Sequence, residues 1–470
     1  MDDSEALFAA LRQRVEPAAA DALERFVREG SGADLARVNA LAFATARHLP
    51  EAEAVAALLH AARLGLFEMS WNILCPSCHG TIAARPSLRQ VREPSYHCVF
   101  CQVSTEPTLD DAVEVSFTVS ARVRRIAAHD PAALSFWDYH RQVFLGSGVL
   151  LPAPDDFEAL ARAAVLEAAE LDAGARLILS LQLPAGPVAV FDPVTHTAHV
   201  VVVEGEATAE RQDLTVVFGA GGASTGRSVL RPGPLRLTLD NRTDVRVLPG
   251  VYVEGPAYQA LMGGRRPYLT AKRLLTNPTF RALYRTDTLD VDQSLKILSL
   301  TFLFTDLTGS TALYERVGDL VAYDLVRGHF RVLEEIVAAE GGAVVKTIGD
   351  AVMATFLTPD RGLAAAIRMR EAMRALNARQ GAEELILKIG LHEGPCLAVS
   401  LNDRQDYFGQ TVNLAWRVQE VAQADGIVAT EAVVRHADAA RGIAAAGLDG
   451  RGQEVSLRGI ERPVPVYAFA

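Results

Sequence analysis

Apolar positions recur at helical spacing along residues 5–66, where Ala, Leu, Glu and Arg dominate, with breaks at Gly30-Ser31-Gly32 and His48-Leu49-Pro50. The pattern predicts a small helical domain over residues 1–70. From about 110 to 260 the period changes to two, in VEVSFTV, RLILSLQL, VAVFD, HVVVVEG, LTVVFG and LRLTLDN, separated by Gly, Pro, Asp and Asn turns. This predicts a central all-β domain over 109–265, an antiparallel sandwich or barrel, with the Gly-rich tract at 219–233 as a hairpin loop. Residues 270–288 read as helical with an interruption at Pro278, a connector over 266–294. Beyond 290 the order is strand, turn, long helix, a hairpin, a helix at 360–378, a strand, a loop reaching Asp406, a helix and closing strands. That order predicts an α+β sheet with helices on one face over 295–470. The fold class is therefore multidomain: helical, then cysteine-bearing, then all-β, then α+β.

The length of 470 residues agrees with several domains rather than one core. Charge narrows the partners. Lys+Arg 46 against Asp+Glu 57 leaves −11, which makes nucleic acid an unexpected partner. After the second break, EAEAVAALLHAARLG and LFEMSWNIL give a helix, a Gly stop and an extended segment, the order of a winged helix. A helix pair docking the rest of the chain is the simpler reading, because nothing basic marks the second helix. The acidic start MDDSEALFAALRQRVEP has no basic and apolar segments of an export signal, and LSLTFLF at 298–304 is far below the ~20 residues that cross a bilayer. A cytoplasmic protein without membrane contact is expected.

Four of the five cysteines form Cys75-Pro-Ser-Cys78 and Cys98-Val-Phe-Cys101, a C-x2-C-x19-C-x2-C spacing within which four thiolates converge tetrahedrally on one structural Zn²⁺. A zinc ribbon over 71–108 is expected, with the metal replacing a core that so short a segment cannot build. His79 and His97 flank the pairs, but four cysteines already fill a zinc site. Cys396 is expected to be a buried small apolar residue, and His392 on the same strand to be structural.

Asp306 ends an apolar strand and Asp350 sits at a hairpin turn, where a carboxylate is tolerated if it is solvated, capping or holding a cation. Two carboxylates on adjacent strand ends can hold a pair of Mg²⁺ ions. FTDLTGST (304–311), VVKTIGDAVMATF (344–356), LKIGLHEGP (387–395) and DYFGQTVNLAWR (406–417) then resemble the class III adenylate/guanylate cyclases, in order and at matching separations. The preceding region resembles an uncharacterised segment paired with bacterial cyclases.

The resemblance implies that Asp306, Asp350 and the carbonyl of Leu307 hold two Mg²⁺ or Mn²⁺ ions. It makes Lys346 and Asp406 the base-selecting pair, and Asn413 and Arg417 the transition-state pair. Lys388 and Arg458 become possible triphosphate contacts. The polarity of the base-selecting pair fits ATP: adenine offers an acceptor at N1 and a donor at its amino group, whereas guanine presents the reverse. In this family one subunit's metal carboxylates face the other's base-selecting and transition-state residues. A chain carrying both sets is expected to act as a homodimer and to be inactive as a monomer. Trp416 departs from the family's usual Ala or Ser, and either packs under its helix or alters the dimer contact. The implied function is an adenylate cyclase regulated by its N-terminal region; the alternatives are a guanylate cyclase or a catalytically silent nucleotide-sensing protein.

Overall fold

The computed structural model describes residues 3–219, 224–284, 289–290, 293–380, 385–401 and 404–469. It divides into one unit of residues 1–107 with 111–269 and another of 108–110 with 270–470. Among the described residues no helix is long and apolar enough to cross a membrane.

The first unit opens with four helices, Asp3–Arg12, Pro17–Glu29, Ala40–Arg47 and Glu51–Leu64. Asn39 caps the third, its side-chain oxygen accepting from the amides of Leu41 and Ala42, and Gly65 ends the fourth at φ +81°. The strand Phe67–Leu74 follows, paired on one side with Thr81–Arg85 and on the other with Val113–Val119. This corrects the grouping of VEVSFTV with the later strands. Its period-two pattern was legible, but its partner lies upstream, across the cysteine-bearing segment.

Two larger sheets make up most of the β-rich part, beside a two-stranded pair of Val149–Leu150 with Gly264–Arg265. One has five strands in the order Ser224–Leu230, Thr197–Val203, Gly186–Asp192, Gly250–Val253 and Val165–Ala168; the other has three, Gln212–Phe218, Gly233–Asn241 and Arg176–Leu183. Val188, Val190 and Val201 of the first share a core with Val216, Leu235 and Leu237 of the second, so the two sheets face each other. Neither sheet is purely antiparallel. Thr197–Val203 runs parallel to Ser224–Leu230, and Gln212–Phe218 parallel to Gly233–Asn241. The chain alternates between the sheets here, so each returning strand runs in the direction of its predecessor. The expected hairpin loop at 219–233 is corrected by the same finding: residues 224–230 are a strand, while 220–223 lie outside the described residues. The stretch also holds helices at Pro154–Ala164 and Pro256–Met262, and the first begins with Asp155 and Asp156 against its positive end.

The second unit carries helices α1 (Ala271–Leu275) and α2 (Pro278–Leu283), then strand β1 (Leu295–Leu307), α3 (Ser310–Val317) and α4 (Asp319–Ala339). There follow β2 (Ala343–Ile348), β3 (Ala351–Phe356), α5 (Pro359–Gln380), β4 (Leu387–Leu401), β5 (Arg404–Phe408) and α6 (Gln410–Glu420). β6 (Ile427–Thr430), α7 (Glu431–Val434), α8 (Ala437–Ala445), β7 (Arg451–Val455) and β8 (Val464–Phe469) complete it. Residues 285–288 of the expected connector helix lie outside the described residues. The sheet order is β2-β3-β1-β4-β6-β8-β7, with β5 on the far end of β4.

Alternation along the strands assigns two faces. Leu303, Val352, Ile389 and Ala429 bury with Leu333 and Val337 of α4 and Met369 and Met373 of α5. Val428 and Val466 point the other way and bury with Val418 of α6. The expectation of helices on one face is thereby corrected: α6 covers the second face. The expected loop to Asp406 is strand β5, paired with β4 from Leu397↔Phe408 to Leu401↔Arg404.

Candidate functional site

Asp306 lies one residue from the end of β1, on the face that bears Phe302 and Phe304. Antiparallel pairing sets Asp306 directly opposite Lys388 of β4. On the other flank Thr305 pairs with Val352, so the β2–β3 turn holding Asp350 comes beside the same strand end. Gly349 at φ +64° makes that turn. Burial raises the Asp306 carboxyl above the usual carboxylate range, and the charge of Asp350 pushes it further the same way, while the charge of Lys388 and the neighbouring Leu307 amide and Gln419 side chain oppose the rise. Among the described residues Asp350 has a buried Oδ2 with no hydrogen-bond partner. Two neighbouring carboxylates, one with an unsatisfied buried oxygen, are a donor set that fits divalent cations.

Lys346 and Asp406 meet. Lys346 Nζ donates to Asp406 Oδ2 at 2.5 Å, and Asp406 Oδ1 accepts from the Tyr407 amide at 2.8 Å. Their strands β2 and β5 are not neighbours in the sheet, so the two side chains meet without a ladder between their strands. Asp406 is buried while the Lys346 side chain keeps 42% of its exposure. Solvent screens the Lys346 end, while the buried Asp406 needs a partner, so a ligand that parts the pair must offer Asp406 a donor in exchange.

Asn413 and Arg417 lie four residues apart on α6, hence on one face. Arg417 Nη1 donates to both oxygens of Glu420, at 3.0 and 2.8 Å. Close packing fixes the height of α6: an added Cβ at Gly390 would stand 2.3 Å from the Gln419 nitrogen, and one at Gly394 2.9 Å from Thr411 Oγ1. The glycines of LKIGLHEGP thus let the helix lie directly on β4. Arg458 is exposed in the turn after β7, at the opposite edge of the sheet from β2.

His392 Nδ1 and Thr430 Oγ1 are 2.8 Å apart, and burial lowers this histidine to about 4. Burial pushes the Cys396 thiol up to about 12. Two contacts escaped the sequence reading, Gln419 beside Asp306 and Arg281 of α2. Neither carries a motif signal.

In the first unit, Cys75 and Cys78 occupy the turn before Thr81–Arg85, and Cys98 and Cys101 the turn between Tyr96–Cys98 and Val103–Thr105. All four Sγ atoms lie within 4.8 Å of one another. The residue after each pair, His79 or Gln102, is left-handed at φ +56° and +57°, so the two knuckles share one geometry. Hydrogen bonding among the four thiols lowers Cys75 and Cys98 and raises Cys78 and Cys101, so without a cation the four share protons rather than all ionising. The cluster fits a tetrahedral thiophilic ion.

Residues 293–466 match the model of the adenylate and guanylate cyclase catalytic domain. An adenylate cyclase of Anabaena cylindrica is 27% identical over 183 residues, covering 36% of this chain and 36% of that protein. An adenylate cyclase of Streptomyces griseus is 33% identical over 181 residues, covering 35% and 43%. The chain therefore spans less than half the length of these relatives. The solved adenylyl cyclase CyaB of P. aeruginosa is 25% identical, covering 38% of this chain and 96% of that one, with a TM-score of 0.33. Residues 1–282 match the model of a family of unknown function, DUF5939, and the chain belongs to that family, with a class III adenylate and guanylate cyclase catalytic domain at its C-terminal side.

Proposed function

We propose that the chain is an adenylate cyclase, converting ATP to 3′,5′-cyclic AMP and pyrophosphate in a head-to-tail homodimer. The observation that carries this reading is the pairing of Lys346 with Asp406 across the gap between β2 and β5. Adenine replaces the ion pair with two hydrogen bonds, Lys346 donating to N1 and Asp406 accepting from the amino group. Guanine would set donor against donor and acceptor against acceptor, costing several kcal/mol in a closed site.

The ribose 3′-hydroxyl gives up its proton to water and its oxygen attacks the α-phosphorus; a 3′-O–P bond forms, the bond from the α-phosphorus to the α–β bridging oxygen breaks, and pyrophosphate leaves. Divalent cations at Asp306, Asp350 and the Leu307 carbonyl would supply a lowered 3′-hydroxyl pKa and neutralisation of the triphosphate. Asn413 orients the ribose, and Arg417, released from Glu420, donates to the α-phosphate as its charge grows. Lys388, opposite Asp306, and Arg458 are assigned to the triphosphate. Exposed Leu320 (78%) and Phe408 (64%), the latter two residues from Asp406, are apolar surface of the kind a second subunit covers. The four cysteines are assigned to one structural Zn²⁺, and the N-terminal unit to regulation, since whatever changes subunit apposition changes a site shared by two chains.

The test is cyclic nucleotide production by the full chain with ATP or GTP and Mg²⁺ or Mn²⁺, beside Asp306→Ala. Cyclic AMP lost in the variant supports the reading; silence under every condition, with ATP still bound, would replace it with nucleotide sensing.

A further inference from the structure

The separation of β2 and β5 is set by something other than the sheet. No ladder joins these strands, yet their side chains Lys346 and Asp406 must flank one purine edge. The register of β2 on β3 slips between Val344↔Ala354 and Lys346↔Met353, which makes Val345 the extra residue of a β-bulge. Its carbonyl, turned out of the ladder, accepts from Arg281 Nη2 at 3.4 Å. The same nitrogen donates to the Gln405 carbonyl of β5 at 3.1 Å. One guanidinium group thus ties together the residues immediately before Lys346 and before Asp406.

Its helix is well anchored. Asn277 Oδ1 accepts from the Phe280 amide at 3.0 Å, and Phe280 is buried and stacked on Tyr284 with ring centroids 5.0 Å apart. On the same side, the Tyr407 hydroxyl donates to the Leu275 carbonyl at 3.4 Å. We infer that Arg281 is a positioning residue for base selection: it fixes the gap between β2 and β5, and with it the spacing of Lys346 and Asp406. This rests on the assignment of those two residues to the purine. A shift of α2 would then reach the nucleotide as a change in which base is preferred, not only in how fast it reacts.

Arg281 lines a pocket of about 230 Å³ together with Phe280, Tyr284, Val337 and Arg404, so water can fill the space a shorter side chain at 281 leaves. The experiment measures equilibrium binding of 3′-deoxy-ATP and 3′-deoxy-GTP, which lack the attacking hydroxyl, to full-length wild type, Arg281→Gln and Arg281→Lys. Thermal melts establish that each variant is folded. The wild type is expected to prefer the adenine analogue, Arg281→Gln to lose about tenfold of that preference, and Arg281→Lys, which keeps a charged donor, to retain most of it. A folded Arg281→Gln with the wild-type preference, or one weakened equally toward both analogues, overturns the positioning role. A wild type with no preference overturns the assignment of Lys346 and Asp406 on which the role rests.

Discussion

The indole of Trp416 meets the ring of Phe304 edge-on, with centroids 5.5 Å apart and planes at 87°. Phe304 precedes Asp306 by two residues on β1, and Trp416 precedes Arg417 by one on α6. The ring therefore packs inward, tying the strand that carries Asp306 to the helix that carries Asn413 and Arg417. Trp416→Ala should lower stability by roughly 1–3 kcal/mol and reduce kcat more than KM. Denaturant melts and kinetics well below the transition check both; unchanged kcat with lowered stability would leave the ring a packing role alone.

The proposed sharing of the site between two subunits predicts complementation. Asp306→Ala and Arg417→Ala should each be inactive alone, yet a mixed dimer contains one site with every group intact. Random mixing makes half the dimers mixed, each with one of two sites, so activity should return to about a quarter of wild type. A mixture as silent as its parts would mean that each chain builds its own site.

The raised carboxyl of Asp306 predicts a pH and metal dependence of stability. A folded pKa above the unfolded value means that the ionised form is the costly one, so this group's contribution is present at low pH and is lost as pH rises through the folded pKa. At neutral pH without divalent ions, Asp306→Asn should melt higher than wild type while being inactive. Mg²⁺ should raise the wild-type melting temperature more than that of the variant. Calorimetry in chelator and in Mg²⁺ reads both, and a variant that melts lower in chelator would contradict the charge argument.

Reversing the base-reading polarity should move specificity. Lys346→Glu with Asp406→Cys is expected to lower the ATP-to-GTP ratio of kcat/KM by about a hundredfold or more. An unchanged ratio would remove these residues from the purine site.

The cysteine cluster predicts one zinc per chain by elemental analysis. Cys75→Ser should lose that ion and several kcal/mol of stability in the N-terminal unit, because metal binding and folding are linked there. A metal-free wild type as stable as the purified protein would show that the knuckles stand without it.

The positions of the motif residues in the second unit were legible because motif spacing and strand alternation survive in one dimension. Asp306 and Asp350 could be placed on adjacent strand ends from the pattern alone. The side of the sheet taken by α6 was not, since Val418 looks like any amphipathic residue until Val428 and Val466 are seen to face it. The parallel pairs in the β-rich unit were hidden because strands 197–203 and 212–218 have the same alternation, and nothing in it records a change of sheet. Arg281 was silent for a similar reason. Its partners are backbone carbonyls, which every sequence has, and one of them is exposed only by a bulge.

Gly390 and Gly394 touch no nucleotide in the proposed reaction, yet any side chain at either must lift α6 or displace Gln419 and Thr411. A random screen for loss of activity would therefore return alleles at these two glycines beside those at the carboxylates. Such proteins would fold, hold nucleotide poorly and resist rescue by added metal, because what they lack is contact distance rather than a functional group.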